Sequence, residues 1–200
     1  MGPKKKFSRK QLIDNAFEIA REEGIDSISI RKVANRVGGS IAPIYVNFKD
    51  VDELKQVVVE KAYGIARDYY TREYTGVPFL DMGIGSYRFA MDYKVLFQDL
   101  VMKDTRYMRS DRQGIKESIE QMRKDPEFKD FSDEELGDIL LKMSIFQLGL
   151  VTMVTNDLAP EDLTEDLVVE LLSSVGEAVI ASAHIRTKER ASQKSQGEKS

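Results

Sequence analysis

The 200-residue chain contains no cysteine, no tryptophan, one histidine and five prolines. Without cysteine there is no disulfide framework, no thiolate metal site and no thiol nucleophile, as expected of a protein kept in a reducing cytoplasm. Long apolar runs are also missing. The longest, SIFQLGLVTMV from Ser144 to Val154, falls well short of the ~20 residues that a membrane helix requires. The start, MGPKKKF, is basic but has no apolar stretch behind it, so it does not read as a secretory signal. Lys6 stands where a myristoylation signal wants Ser or Thr. No G-x-S-x-G, H-E-x-x-H, P-loop or G-x-G-x-x-G element occurs. His184 is expected at the end of the last helix as a charge partner or rim residue. The carboxylates at Asp133-Glu134-Glu135 and Glu161-Asp162 read as charges that complement helix N-termini. An enzyme, a metal site and a bound cofactor are therefore not expected.

What the chain does hold is a soluble composition with uneven charge. Apolar residues make up 42% and charged residues 32%, the proportions of a globular protein. Net charge is −4, yet residues 1–49 carry ten Lys or Arg against five Asp or Glu, and residues 50–200 carry twenty against twenty-nine. A basic module on an acidic body is the footprint of a nucleic-acid-facing segment. A basic tail of Lys4, Lys5 and Lys6 explains part of the excess.

Helix signals fill the first fifty residues. Ser8 and Gln11 form an S-x-x-Q capping box, followed by apolar residues at helical spacing (Leu12, Ile13, Ala16, Phe17, Ile19, Ala20) and a stop at Gly24. Ser29 caps a second helix that turns Ile30, Val33, Ala34 and Val37 inward, and Gly38-Gly39 ends it. Ser40 is expected to cap a third helix through an early amide, with Pro43 in the first turn, where helix N–H groups lack partners. Ile44 and Phe48 face back into the core. Asp50 and Glu53 form another capping box that opens a fourth helix near Val51. Helix, helix, tight turn and short helix make the helix-turn-helix layout, whose last helix enters a DNA major groove. Ile41, Ala42 and Pro43 suit close approach to thymine methyl groups, and the Tyr45 hydroxyl suits a phosphate. Each of these residues also has an ordinary structural use, in packing, surface pairing or solvation.

From Arg9 to Leu54 the pattern resembles the DNA-binding domain of the tetracycline-repressor (TetR) family: R-x-x-L-I-x-x-A-x-x-x-A-x-x-x-G, S-I-R-K-V-A-x-x-V-G-x-S, and I-Y-x-N-F-K-D-x-x-E-L. The resemblance implies phosphate contacts from Ser29, Tyr45 and Lys49. It places Arg31 at a base edge, and Ser40, Ile41, Ala42 and Pro43 along the groove. Asn47 stands where the family usually has His or Tyr, and Val51 where many members have a second lysine. The implied protein is a homodimer on a palindromic double-stranded operator, acting as a repressor released by a small-molecule effector. The alternative is a helical small-molecule-binding or scaffold protein without DNA binding.

The rest of the chain reads as all-α. A helix is expected from Val51 to the Tyr69–Tyr70 region, then helices over Phe79–Asp92, Lys94–Met102, Met108–Lys124, Asp133–Asn156 and Glu161–Ile185. The expected division is a DNA-binding domain over 1–50, a ligand-binding and dimerisation domain over 51–186, and a disordered polar tail over 187–200. The last two long helices are apolar on more than one side. That suits either a four-helix dimer interface, as the family implies, or a thick core. The segment Tyr87–Met108 resembles the ligand-domain signature of one TetR subgroup, although its tryptophan is absent. Phe89, Tyr93, Phe97, Met143, Phe146 and Gln147 are accordingly expected to line a pocket for a lipophilic molecule, and packing into a core would explain the same residues.

Overall fold

Helix caps written in the sequence set the first elements. The computed structural model describes residues 7–102 and 111–197, and all regular structure among them is helical. Helix α1 (Arg9–Glu23) starts at the expected box: the Ser8 hydroxyl accepts from the Gln11 N–H at 3.2 Å, and Gln11 Oε1 accepts from the Ser8 N–H at 2.9 Å. A 3-10 turn (Ile25–Ser27) leads into α2 (Ile30–Arg36), capped by Ser29 through the Lys32 N–H. The end of α2 is a Schellman motif. The Gly39 N–H reaches Ala34 O and the Gly38 N–H reaches Asn35 O, with Gly38 at φ +69°, where only glycine is free of Cβ strain.

Helix α3 (Ala42–Asn47) departs from expectation. Ser40 does not cap it; Ile41 takes the cap position and no side chain bonds the first turn. Isoleucine carries no side-chain acceptor, so the helix starts without a side-chain cap, and Pro43 in its first turn has no N–H to leave unpaired. Ile44 and Phe48 are buried as expected, at 0% and 2% exposure. Each contributes about 1.5–3 kcal/mol of burial, which fixes the face that α3 turns outward. Helix α4 (Val51–Tyr70) opens with Asp50 Oδ1 accepting from the Glu53 N–H, while the Glu53 carboxylate accepts from the Lys49 N–H instead of Asp50's own.

The remaining helices are α5 (Pro78–Asp92), α6 (Lys94–Phe97), α7 (Asp111–Met122), α8 (Asp133–Thr155) and α9 (Glu165–Gly197). Three boundaries differ from the sequence reading. The expected helix over Lys94–Met102 is broken, because α6 passes at Gln98 into a π-helical turn (Gln98–Met102). Helix α9 begins at Glu165, four residues later than expected, where the Thr164 hydroxyl accepts from the Leu167 N–H. It also continues to Gly197, whereas a disordered tail was expected from residue 187. The charged and glutamine residues that made the segment look disordered are also good helix formers. Part of the expected helix from Met108 lies outside the described residues.

The chain divides into two compact units, Met1–Tyr69 with Arg88–Ser110, and Tyr70–Tyr87 with Asp111–Ser200. The expected boundary near residue 50 is not a boundary of packing. In the first unit, α1–α4 share a core with the end of α5 and with α6. Phe17, Tyr69, Phe89, Tyr93 and Phe97 form an aromatic cluster with centroid separations of 5.3–6.5 Å, and the Tyr69 hydroxyl donates to Asp92 at 2.6 Å. The π-helical turn delivers Asp99, only 3% exposed, to the end of α1, where its carboxylate accepts from the Ile25 N–H at 2.6 Å. Gly24 makes this approach possible twice over: its φ is +92°, and a Cβ there would lie 2.8 Å from Asp99 Oδ2. In the second unit, Met122, Phe128, Phe131, Leu136 and Ile139 pack with Ile180 and Ala183, and Ile84, Leu150, Val168 and Leu172 form a second cluster. Buried Asp81 holds the turn before α5 by accepting from Thr75 and from the Gly76 N–H.

Replacing Asp99 with Ala leaves the buried Ile25 N–H unpaired and should cost about 1–3 kcal/mol. Urea unfolding followed by circular dichroism checks this. An Asp99→Ala variant that unfolds at the unmodified protein's midpoint would remove the contact from the account.

Candidate functional site

The outward face of α3 is formed by what its core anchors leave behind. With Ile44 and Phe48 inward, Ile41 (47% exposed), Tyr45 (56%) and Val46 (84%) are in solvent, and Ser40 and Ala42 are exposed beside them. Pro43 is half-buried. Asn47 is half-buried and donates its side-chain amide to Pro43 O at 2.7 Å, which ties it to its own helix. Val46 was not among the residues singled out from sequence. Its position two residues after buried Ile44 was the signal that it would point outward.

Cations around this face fall into two sets. Lys32 Nζ lies 2.5 Å from Glu23 Oε2, and the Arg36 guanidinium grips Glu22 through two bonds of 2.7 Å. Arg9 lies over the Phe48 ring at 4.6 Å and reaches Glu53 at 3.4 Å. Lys10 and Lys61 both bond Asp14 at 2.7 Å, and they hold its carboxyl below the usual range. Those cations are paired within the fold. Arg31 and Lys49 are exposed and have no carboxylate partner among the described residues. The Ser29 hydroxyl accepts from Lys32 and keeps its own proton for another partner.

A second contact frames the turn. Phe7 packs on Gly39, where a Cβ would lie 2.4 Å from the ring's Cε2. The glycine pair thus has two uses, one conformational at Gly38 and one steric at Gly39. Lys4, Lys5 and Lys6 lie outside the described residues.

The six residues expected to line a pocket do not assemble as one wall. Phe89, Tyr93 and Phe97 belong to the aromatic core of the first unit. Phe146 packs beside the Ile84–Leu150–Val168–Leu172 cluster. Met143 and Gln147 do line a cavity, of about 160 Å³, inside the second unit. Phe79, Met82 and Leu140 supply the rest of its apolar wall, and Tyr70, Gly83, Ser86, Ser118 and Ser144 complete it. Sequence reasoning missed these because small residues on an apolar helix mark close packing as often as a void. His184 packs against Phe131 with centroids 4.5 Å apart and the rings tilted by 40°. No group of His, Asp and Glu among the described residues is placed to hold a metal ion.

These features define an all-helical protein with an N-terminal helix-turn-helix. No family model matches the chain. In fold it is similar to a TetR-like transcriptional regulator from Rhodococcus sp. RHA1, with a TM-score of 0.63 and 14% identity over 86% of this chain and 94% of that one. It is also similar to TetR from Acinetobacter baumannii AYE, with a TM-score of 0.50 and 17% identity over 93% and 98% of the two chains. In sequence it is 42% identical over 48 residues to the HTH-type nicotine-responsive transcriptional repressor HdnoR of Paenarthrobacter nicotinovorans. That match takes in 24% of this chain, which spans about a quarter of the length of the curated relative. The fold is that of the TetR-like regulators.

The Arg36 guanidinium lowers the pKa of Glu22 through its hydrogen bonds, and Glu22 raises that of Arg36. Whatever the exposed pair adds to stability is therefore present above the unfolded-chain glutamate pKa and lost as pH falls through the lower folded value. A carbon-13 titration should place Glu22 below its ordinary range and return it there in Arg36→Gln. An unshifted Glu22 in the unmodified protein would contradict the pairing.

Proposed function

We propose that the chain is a transcriptional regulator that binds a palindromic operator as a homodimer, represses by occupancy and is released by a small lipophilic molecule. The observation that carries the reading is the surface around α3. Arg31 and Lys49 are left unpaired while neighbouring cations are neutralised, and an apolar outward face lies beside them. An exposed apolar face flanked by free cations suits the major groove, where thymine methyl groups and phosphates meet it together. Arg31 is assigned a base edge, with bidentate geometry to guanine O6 and N7. Lys49, Tyr45 and Ser29 are assigned phosphates. Ile41, Ala42 and Val46 are assigned the groove wall, with Ser40, Pro43 and Asn47 positioning the backbone. Such a protein works in the cytoplasm, where the DNA is.

The dimer reading rests on α8 and α9. Leu141 and Ile145 are 59% and 64% exposed on α8, and Ile185 is 59% exposed on α9, below the small exposed residues Ser174, Ala178 and Ala181. A second copy packing its two helices here would cover the bulky row of each α8 with the small row of the opposite α9. By length and composition alone both helices are apolar enough to cross a membrane. The Asp138–Lys142 ion pair on α8 and Glu170 and Glu177 on α9 suit a partner helix better than lipid. Two-fold symmetry would set two recognition helices about 34–36 Å apart, one turn of DNA. An effector that binds the two arrangements of the dimer unequally would shift operator affinity, typically by about 1–3 kcal/mol.

Selection from random duplex DNA, followed by titration at two salt concentrations, tests the reading. The expected result is a palindrome bound with a steep salt slope, and no enrichment would sink it. With that operator, Arg31→Ala should relax preference at one base pair at a cost of about 1–3 kcal/mol. Lys49→Ala should weaken all sequences alike and reduce the salt slope by about one. For the dimer, Ile145→Glu should give a folded monomer in sedimentation velocity; an unchanged sedimentation coefficient would place the interface elsewhere.

A further inference from the structure

We propose that the cavity in the second unit accepts an uncharged, hydrogen-bonding ligand about the size of one substituted six-membered ring. This rests on the regulator reading for its biological meaning, and binding itself can be measured without DNA. Size comes first. The volume is about 160 Å³, and an apolar protein cavity of roughly 150 Å³ is large enough to bind benzene. The cavity is partly open, with exposed Ser144 at its edge, so a second fused ring would extend beyond its walls.

Charge comes next. The wall contains no Asp, Glu, Lys, Arg or His. A carboxylate or ammonium entering it would lose water and meet no counter-ion, which costs several-fold more than burying a neutral polar group. The ligand is therefore neutral.

Its polar groups follow from what the wall leaves unsatisfied. Gln147 donates Nε2 to the backbone carbonyl of Gly83 at 2.6 Å. A carbonyl accepts only from the NH₂ side of the amide, so this bond fixes the amide's orientation. Gln147 Oε1 is left as an acceptor with no partner among the described residues. Ser144 returns its hydroxyl to Leu140 O at 2.8 Å. The Ser86 and Ser118 hydroxyls bond no other described residue, so they are available as donors or acceptors. Met82 and Met143 add deformable apolar lining that fits several ring shapes. The class that matches is a small neutral amide, phenol or alcohol on a ring, offering one donor to Gln147 and one acceptor to a serine.

The test uses benzamide as probe, with benzoate and benzylamine as charged counterparts and 2-naphthamide as the two-ring homologue. Saturation-transfer NMR on the full-length protein without DNA gives each affinity. Benzamide should bind at least about tenfold more tightly than any of the three. Ser86→Leu, which fills the cavity, and Gln147→Leu, which removes the acceptor, should each weaken it by about tenfold, with circular dichroism melting showing that both variants fold. Equal binding of benzoate or benzylamine, preference for 2-naphthamide, undetectable benzamide binding, or benzamide binding untouched by Ser86→Leu would each overturn the proposal. If DNA selection succeeds while benzamide fails, the ligand class alone is discarded. If benzamide binds as described and selection finds no operator, the ligand class stands and the regulator reading falls.

Discussion

One buried carboxylate organises the first unit. Asp99 is separated from Ile25 by 74 residues in sequence and by a single 2.6 Å bond in space. Three local conditions must hold together for that bond to form. The chain must widen into a π-helical turn at Gln98, Gly24 must take its positive φ, and no side chain may stand where Asp99 Oδ2 lies. A π-helical turn is a costly insertion in an α-helix and is found mostly where function or packing demands it. Here it aims one carboxylate at a backbone N–H that the end of α1 leaves without a helical acceptor. Helix α1 supplies Leu12, Ala16, Phe17 and Ala20 to the core on which α2 and α3 sit. The placement of the helix-turn-helix therefore depends on a residue far along the chain.

Electrostatics inside the same unit resolve an oddity of composition. An acidic protein with a net charge of −4 is a poor general ligand for DNA, and its basic residues are largely spent at home. Glu22 and Glu23, at the end of α1, occupy Arg36 and Lys32. Exposed pairs of this kind contribute little to folding, so their larger effect is on the surface field. Among the described cations beside α3, they leave Arg31 and Lys49 without a carboxylate partner. Unpaired cations gathered beside one helix of a mainly acidic protein favour a defined seat on DNA over diffuse adhesion.

What could be read from the sequence was what neighbouring residues decide. The Ser8–Gln11 box, the Ser29 cap, the Gly38-Gly39 turn and the inward positions Ile44 and Phe48 all depend on partners within a few positions, and the structure has them. Ser40 failed as a cap because the helix starts one residue later than expected, which puts Ile41 in the cap position. Asp99 was illegible because its partner lies in another element, and nothing in Gln98–Met102 marks a π-helical turn. The residues expected to line one pocket were illegible for another reason. Phe and Met on a helix look the same whether they meet a void or a neighbour, so Phe89, Tyr93 and Phe97 went to an aromatic core while Met143 and Gln147 met a cavity. The end of α9 was misread because lysine, glutamate and glutamine favour helices and also dominate disordered chains.

The contact between Phe7 and Gly39 has a practical side. Because the ring occupies the space of the missing Cβ, the polypeptide enters the fold alongside the turn that aims α3. An affinity tag or fluorescent protein joined directly ahead of Phe7 would begin at the rim of the proposed reading surface and compete with a duplex for room.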